Sequence, residues 1–112
     1  MNPMERFDRL VAEFATVPDV IPPGTTRGFG SNALRVQGMI FAMLVRERLV
    51  LKLPADRVAE LVDADEGAYF DANKGKPMKN WLSLREESTM DWSLLAREAL
   101  QFVGRAAGRT RQ

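Results

Sequence analysis

Residues 34–53 read Leu34-Arg35-Val36-Gln37-Gly38-Met39-Ile40-Phe41-Ala42-Met43-Leu44-Val45-Arg46-Glu47-Arg48-Leu49-Val50-Leu51-Lys52-Leu53, and this stretch decides the fold. Leu34 and Val36 alternate with Arg35 and Gln37, the two-residue period of a strand with one apolar face. Gln37-Gly38 can turn the chain into Met39–Val45, where every side chain is apolar. A strand that is apolar in both directions belongs inside a sheet, with a helix against one side and a further cover, such as a partner, against the other. Arg46-Glu47 then breaks the run, and Leu49, Leu51 and Leu53 share one face of the next strand. The economical reading is an antiparallel hairpin whose leucines face helices.

Outward from this hairpin, helical spacing replaces alternation. Asn2, Pro3 and Glu5 form the signature of a capped helix start, and Met4, Phe7, Leu10, Val11 and Phe14 follow as its apolar stripe. The polar side of that helix mixes acids with bases, which suits a protein surface better than a membrane surface. The helix should end near Pro18, before the restricted Ile21-Pro22-Pro23-Gly24 connection. On the other side, Pro54 opens a helix carrying Val58, Leu61 and Val62. Gly67 and residues 71–77 mark irregular chain around Tyr69-Phe70, where an additional strand is allowed, and Trp81-Leu82-Ser83-Leu84 reads as a further strand. Alternation leaves open whether Trp81 shares a buried face with Ser83 or points outward while Leu82 and Leu84 pack. Thr89 or Asp91 caps the last helix, whose apolar face is Trp92, Leu95, Ala96, Ala99, Phe102, Val103 and Ala106. Gly104 and Gly108 weaken its end, so residues 107–112 are expected to fray into a basic tail. The expected architecture is α+β in the order α-β-β-β-α-β-α, a single domain over residues 1–106.

Composition limits the chemistry. A chain of 112 residues with 46% hydrophobic and 28% charged residues can build one soluble core. Sixteen bases against fifteen acids leave a net charge of only +1, so the molecule as a whole is no strong polyanion binder, although a local basic patch stays open. The sequence has no cysteine and no histidine, which removes disulfides, thiolate nucleophiles, histidine-based triads and the usual zinc sites. Met39–Val45 is too short to span a bilayer, and charges through the first sixteen residues contradict a signal peptide. A cytoplasmic location without membrane contact is the resulting expectation.

Few residues then stand out as a site. Gly24, Gly28 and Gly30 surround Arg27, but GTTRGFGSN matches neither phosphate-loop pattern, and a strand rather than a helix follows it. Arg27 could hold an anion there or simply be solvated. Lys74, Lys76 and Lys79 precede Trp81 closely; three bases and an aromatic could grip a phosphate backbone and stack on a base, or form a polar loop leading into a core tryptophan. Arg105, Arg109 and Arg111 have no neighbouring acid, and they equally suit a helix C-terminus. The Asp63-Asp65-Glu66 and Glu86-Glu87 clusters lack a calcium-loop pattern, and no serine has a GxSxG context. No catalytic, cofactor-binding or metal-ligating residue is therefore assigned.

The stretches PPGTTRGFGSNALRVQGMIFAMLVRERLVLKL, LPADRVAELV, FDANKGKPMKNWLSL and DWSLLAREALQFV, in this order, resemble the TfoX N-terminal domain family, grouped with small YjbR-like bacterial proteins. The likeness runs through residues 4–104 and lies mainly in the order of elements. Phe29-Gly30, Met39–Val45, Leu49–Leu53 with Lys52 as its base, Pro77-Met78 and Trp81 fall on the family's motifs. It implies a curved antiparallel sheet with helices packed against it, but no established reaction. The expected role is a non-enzymatic interaction or regulatory-accessory domain with a protein partner or a second copy of itself. A weak nucleic-acid-associated protein and an enzyme of unknown class are the alternatives. The interaction residues to examine are Arg27, Lys74, Lys76, Lys79, Trp81, Arg109 and Arg111.

Overall fold

The computed structural model describes residues 2–21, 33–70 and 78–110, with side chains as far as Arg105. The first helix, α1 (Pro3–Phe14), starts as its sequence requires: the Asn2 side chain accepts from the Glu5 amide at 2.8 Å, and the Glu5 carboxylate accepts from the Asn2 amide. Phe7, Leu10 and Phe14 are buried, whereas Met4, one turn earlier on the same stripe, is 48% exposed. Strands β1 (Val20–Ile21), β2 (Ala33–Val36), β3 (Met39–Val45) and β4 (Arg48–Lys52) follow, then α2 (Ala55–Asp63), β5 (Gly67–Tyr69), β6 (Trp81–Leu84) and α3 (Trp92–Thr110). The order therefore contains the expected α-β-β-β-α-β-α series with two short edge strands, β1 and β5, added to it.

All pairings are antiparallel, and the six strands lie in the spatial order β1-β2-β3-β4-β6-β5 in a sheet that does not close. Two-residue turns make both central hairpins. Gln37 and Gly38 (φ 52° and 82°) join β2 to β3, and Arg46 and Glu47 (φ 52° and 67°) join β3 to β4. Positive φ at both positions matches the right-handed twist of the flanking strands. Between the turns, the register of β3 shifts: Leu34 faces Ala42 but Arg35 faces Ile40, leaving Phe41 as the extra residue of a bulge. Phe41 and Ala42 consequently both join the helix-side core, and the Phe41 ring lies 6.0 Å from that of Phe14.

The helices cover one face. That face buries Leu34, Val36, Leu44, Leu49, Leu51, Leu53, Leu82 and Leu84 against Phe7, Leu10 and Phe14 of α1, Val58 and Leu61 of α2, and Trp92, Leu95, Ala96, Ala99 and Val103 of α3. The three leucines expected to face the helices do so with no exposed surface. Ala33, Met43 and Val50 form a second, smaller cluster on the opposite face, packed by Ile40, Val45, Phe70 and Trp81. Of the run Met39–Val45 that suggested cover by a second copy, Phe41, Ala42, Met43 and Leu44 are buried in the single chain, Ile40 and Val45 are half-buried and Met39 is exposed.

Local chemistry ends each helix. Asp91, not Thr89, caps α3, accepting from the amides of Ser93 at 2.8 Å and Leu94 at 3.3 Å. At the end of α2, Asp65 takes a left-handed φ of 63°, its amide donating to Val62 and that of Glu66 to Leu61, a Schellman closure without glycine. Gly67 next meets β6 so closely that a Cβ there would collide with the Ser83 carbonyl. Helix α3 continues to Thr110, so part of the expected tail, residues 107–110, has helical backbone. Glycine weakens a helix by about 1 kcal/mol but does not by itself stop one.

Two substitutions check this account. Leu51→Ala should lower the unfolding free energy by about 2–5 kcal/mol, through lost transfer energy and the cavity left behind; a loss under about 1 kcal/mol in equilibrium denaturation would contradict its central burial. Replacing Arg46-Glu47 by Asn-Gly should raise stability by about 1 kcal/mol, because both native residues occupy a conformation that glycine and asparagine tolerate better.

Candidate functional site

The alternation of the strands sorts their charged residues. Arg35 sits between Leu34 and Val36, and Lys52 between Leu51 and Leu53, all four of which belong to the helix-side core. Arg48 pairs with Val45, a member of the opposite cluster. Arg35, Arg48 and Lys52 therefore share the face turned away from the helices. No acidic residue occupies any of the six strands. Among the described residues the acids lie instead on the helices, as Glu5, Asp8, Glu13, Asp56, Glu60, Asp63 and Glu98 do, or in turns and loops, as Asp19, Glu47, Asp65, Glu66, Glu86, Glu87 and Asp91 do. A charge balance near zero for the whole chain thus hides a one-signed sheet face.

Cross-strand register sets the layout of this face. One row runs Ala33, Met43, Val50, Ser83, Ala68 across five strands, and its first four members are buried. Towards one end of the strands lie the pairs Arg35 with Ile40 and Lys52 with Trp81; towards the other lies Arg48 with Val45. Trp81 is half-buried, its ring 6.5 Å from Phe70, with the Lys52 ammonium 5.7 Å from the indole centroid. That distance is within cation–π range. Leu82 and Leu84 take the core side, which settles the orientation of Trp81: it shares with Ser83 the face away from the helices.

Of the residues singled out from sequence, Trp81 and Lys79 are placed. Lys79 is exposed in the turn before β6 and borders an open cleft of about 480 Å³ with Ala55, Asp56 and Ala59 of α2 and Tyr69 of β5. Arg27, Lys74, Lys76 and Arg111 lie outside the described residues, as does the side chain of Arg109. Arg35, Arg48 and Lys52 were missed as a group. The available signal was a base at an alternating position between apolar neighbours in each of the two strands that flank β3.

Other polar clusters join helices to one another. Arg57 donates through Nε and Nη2 to the two Glu98 oxygens at 2.9 and 3.2 Å and also pairs with Glu60, tying α2 to α3. The Glu98 hydrogen bond, followed by that of Glu60, holds the Arg57 guanidinium above its ordinary pKa. Glu13 accepts from Ser93 and, at 3.0 Å, from Arg97, fastening α1 to α3. Ser88, buried, donates to Glu66 at 2.6 Å and accepts from the Met90 amide. Among the described residues, no three acidic side chains converge on a point that could hold a metal ion. No helix among them is long and apolar enough to cross a membrane.

Comparison with protein-family models, with characterised proteins and with solved structures finds no match. The resemblance to the TfoX N-terminal domain rests on the quoted stretches and their order.

The two tryptophans should separate in solution. Trp92 is 8% exposed while Trp81 is only half-buried. Acrylamide quenching of the native protein should show an accessible and a protected component, and Trp81→Phe should remove the accessible one. Loss of the protected component instead would reverse the two assignments.

Proposed function

We propose that this chain is a non-enzymatic interaction domain, a regulatory-accessory module of the TfoX N-terminal type, that docks an anionic partner on the sheet face turned away from its helices. One observation carries the reading: Arg35, Arg48 and Lys52 share that face with Trp81, and no strand contributes an acid to it. Cations arrayed on a rigid sheet set up a local field that selects negatively charged partners and speeds their approach. Pairing two copies through this face would oppose like charges, which disfavours a face-to-face homodimer. Glu13 and Glu98 are engaged in joining helices, and Glu66 accepts from the Ser88 hydroxyl in the loop before α3.

A charge-matched comparison tests this. The variant R35E/K52E should elute from a heparin column at lower salt than the native protein. R9E/R105E changes the net charge equally on the exposed helical side and should elute later than R35E/K52E. Equal elution of the two variants would locate attraction in overall charge and remove the sheet face from the reading.

A further inference from the structure

We infer that the anionic partner is a single-stranded nucleic acid, held by its phosphates on Arg35, Lys52 and Arg48 and by a base against Trp81. The inference rests on the sheet-face reading above and names its occupant. Two geometric facts favour a strand of nucleotides over a purely acidic partner. First, the cations are spread out, not gathered into a pocket. Arg48 and Lys52 are four residues apart along β4, about 13 Å at a strand's rise, and Arg35 stands two strands from Lys52, about 10 Å away. A polyanion with charges repeated along its length can reach all three, whereas one carboxylate or phosphate reaches one. Secondly, the Lys52 ammonium lies over the Trp81 ring, which is only half-buried, so a base that stacks on that face takes the ammonium's place and leaves it beside the base's own phosphate. Sequence-tolerant recognition of unpaired nucleotides uses that pairing, since a base stacks on the ring while its phosphate meets the ammonium. An acidic peptide can also reach the three bases but has no nucleobase to stack on the indole.

The shape of the sheet argues for a single strand over a duplex. The central row Ala33, Met43, Val50 and Ser83 is at most 9% exposed, and no helix among the described residues projects from this face to enter a groove. A flexible strand can follow the half-buried rim formed by Arg35, Lys52, Trp81 and Arg48, while a stiff duplex would touch few of these points at once. The chemistry is shared by RNA and DNA, and both belong in the test.

Fluorescence anisotropy with labelled thymidylate and uridylate dodecamers, a duplex of the same length, and a poly-glutamate peptide distinguishes the outcomes. The expected result is saturable binding of a single-stranded dodecamer at low salt, tighter than the duplex, with quenched tryptophan emission that Trp81→Phe abolishes. Three phosphate contacts predict a log–log salt slope of about −2. R35E/K52E should weaken binding by about tenfold or more, and the milder R35Q/K52Q provides the same test if the charge reversal fails to fold. Binding unchanged in a folded face variant, or duplex bound as tightly as single strand, overturns the inference. Poly-glutamate bound through the same residues without oligonucleotide binding overturns it while leaving the sheet-face reading intact. No binding by either probe overturns both.

Discussion

The structure depends on one inserted residue. Strand β3 has seven residues, Met39–Val45, between two two-residue turns. Strict alternation over an odd number would place Met39 and Val45 on the same face. Their partners demand otherwise: Met39 pairs with Val36 on the helix side, and Val45 pairs with Arg48 on the other. The bulge at Phe41 resolves the conflict by letting Phe41 and Ala42 both point at the helices. An unbulged strand would turn Phe41 onto the basic face, away from Phe14, or tip a row of leucines into water. The helix core and the charged face are therefore two results of the same register.

That register also divides labour between the layers. Helices α1, α2 and α3 fasten to one another through Glu13 with Arg97 and Arg57 with Glu98, and to the sheet through leucine and phenylalanine side chains. Exposed ion pairs of this kind each contribute about 1 kcal/mol or less, so they orient the helices while apolar burial holds them. The far side of the sheet has a small apolar row closed by Ile40, Val45, Phe70 and Trp81. Bases flank the row, as long aliphatic stems can cover apolar surface while their charged ends reach water. With its apolar centre buried, this face presents charge and a single half-buried indole.

Much of this was legible in the residues. The capping box at Asn2, the turn at Gln37-Gly38, the leucine face of β4 and the aspartate cap of α3, narrowed to two residues, are each specified within a few positions of the chain. The short strands β1 and β5 were harder to read. Two or three residues have too short a period to detect, so β1 went unread and β5 was only an allowed strand near Tyr69; each is held by the edge it joins, β1 by β2 and β5 by β6. Met4 was misjudged for a related reason: helical spacing identifies the stripe but not how far along it the sheet extends.

The sequence by itself determined the class of fold, the hairpin register signals and the absence of histidine and cysteine chemistry, because these depend on residue type and short-range geometry. Only the tertiary structure decided which side of β6 carries Trp81 and that Arg35, Arg48 and Lys52 belong together. In the chain those bases lie among buried leucines and valines and look like ordinary solvated positions. Strand pairing fixes their phase relative to one another, and that phase is set across strands by hydrogen bonds and by a bulge whose position no local pattern announces.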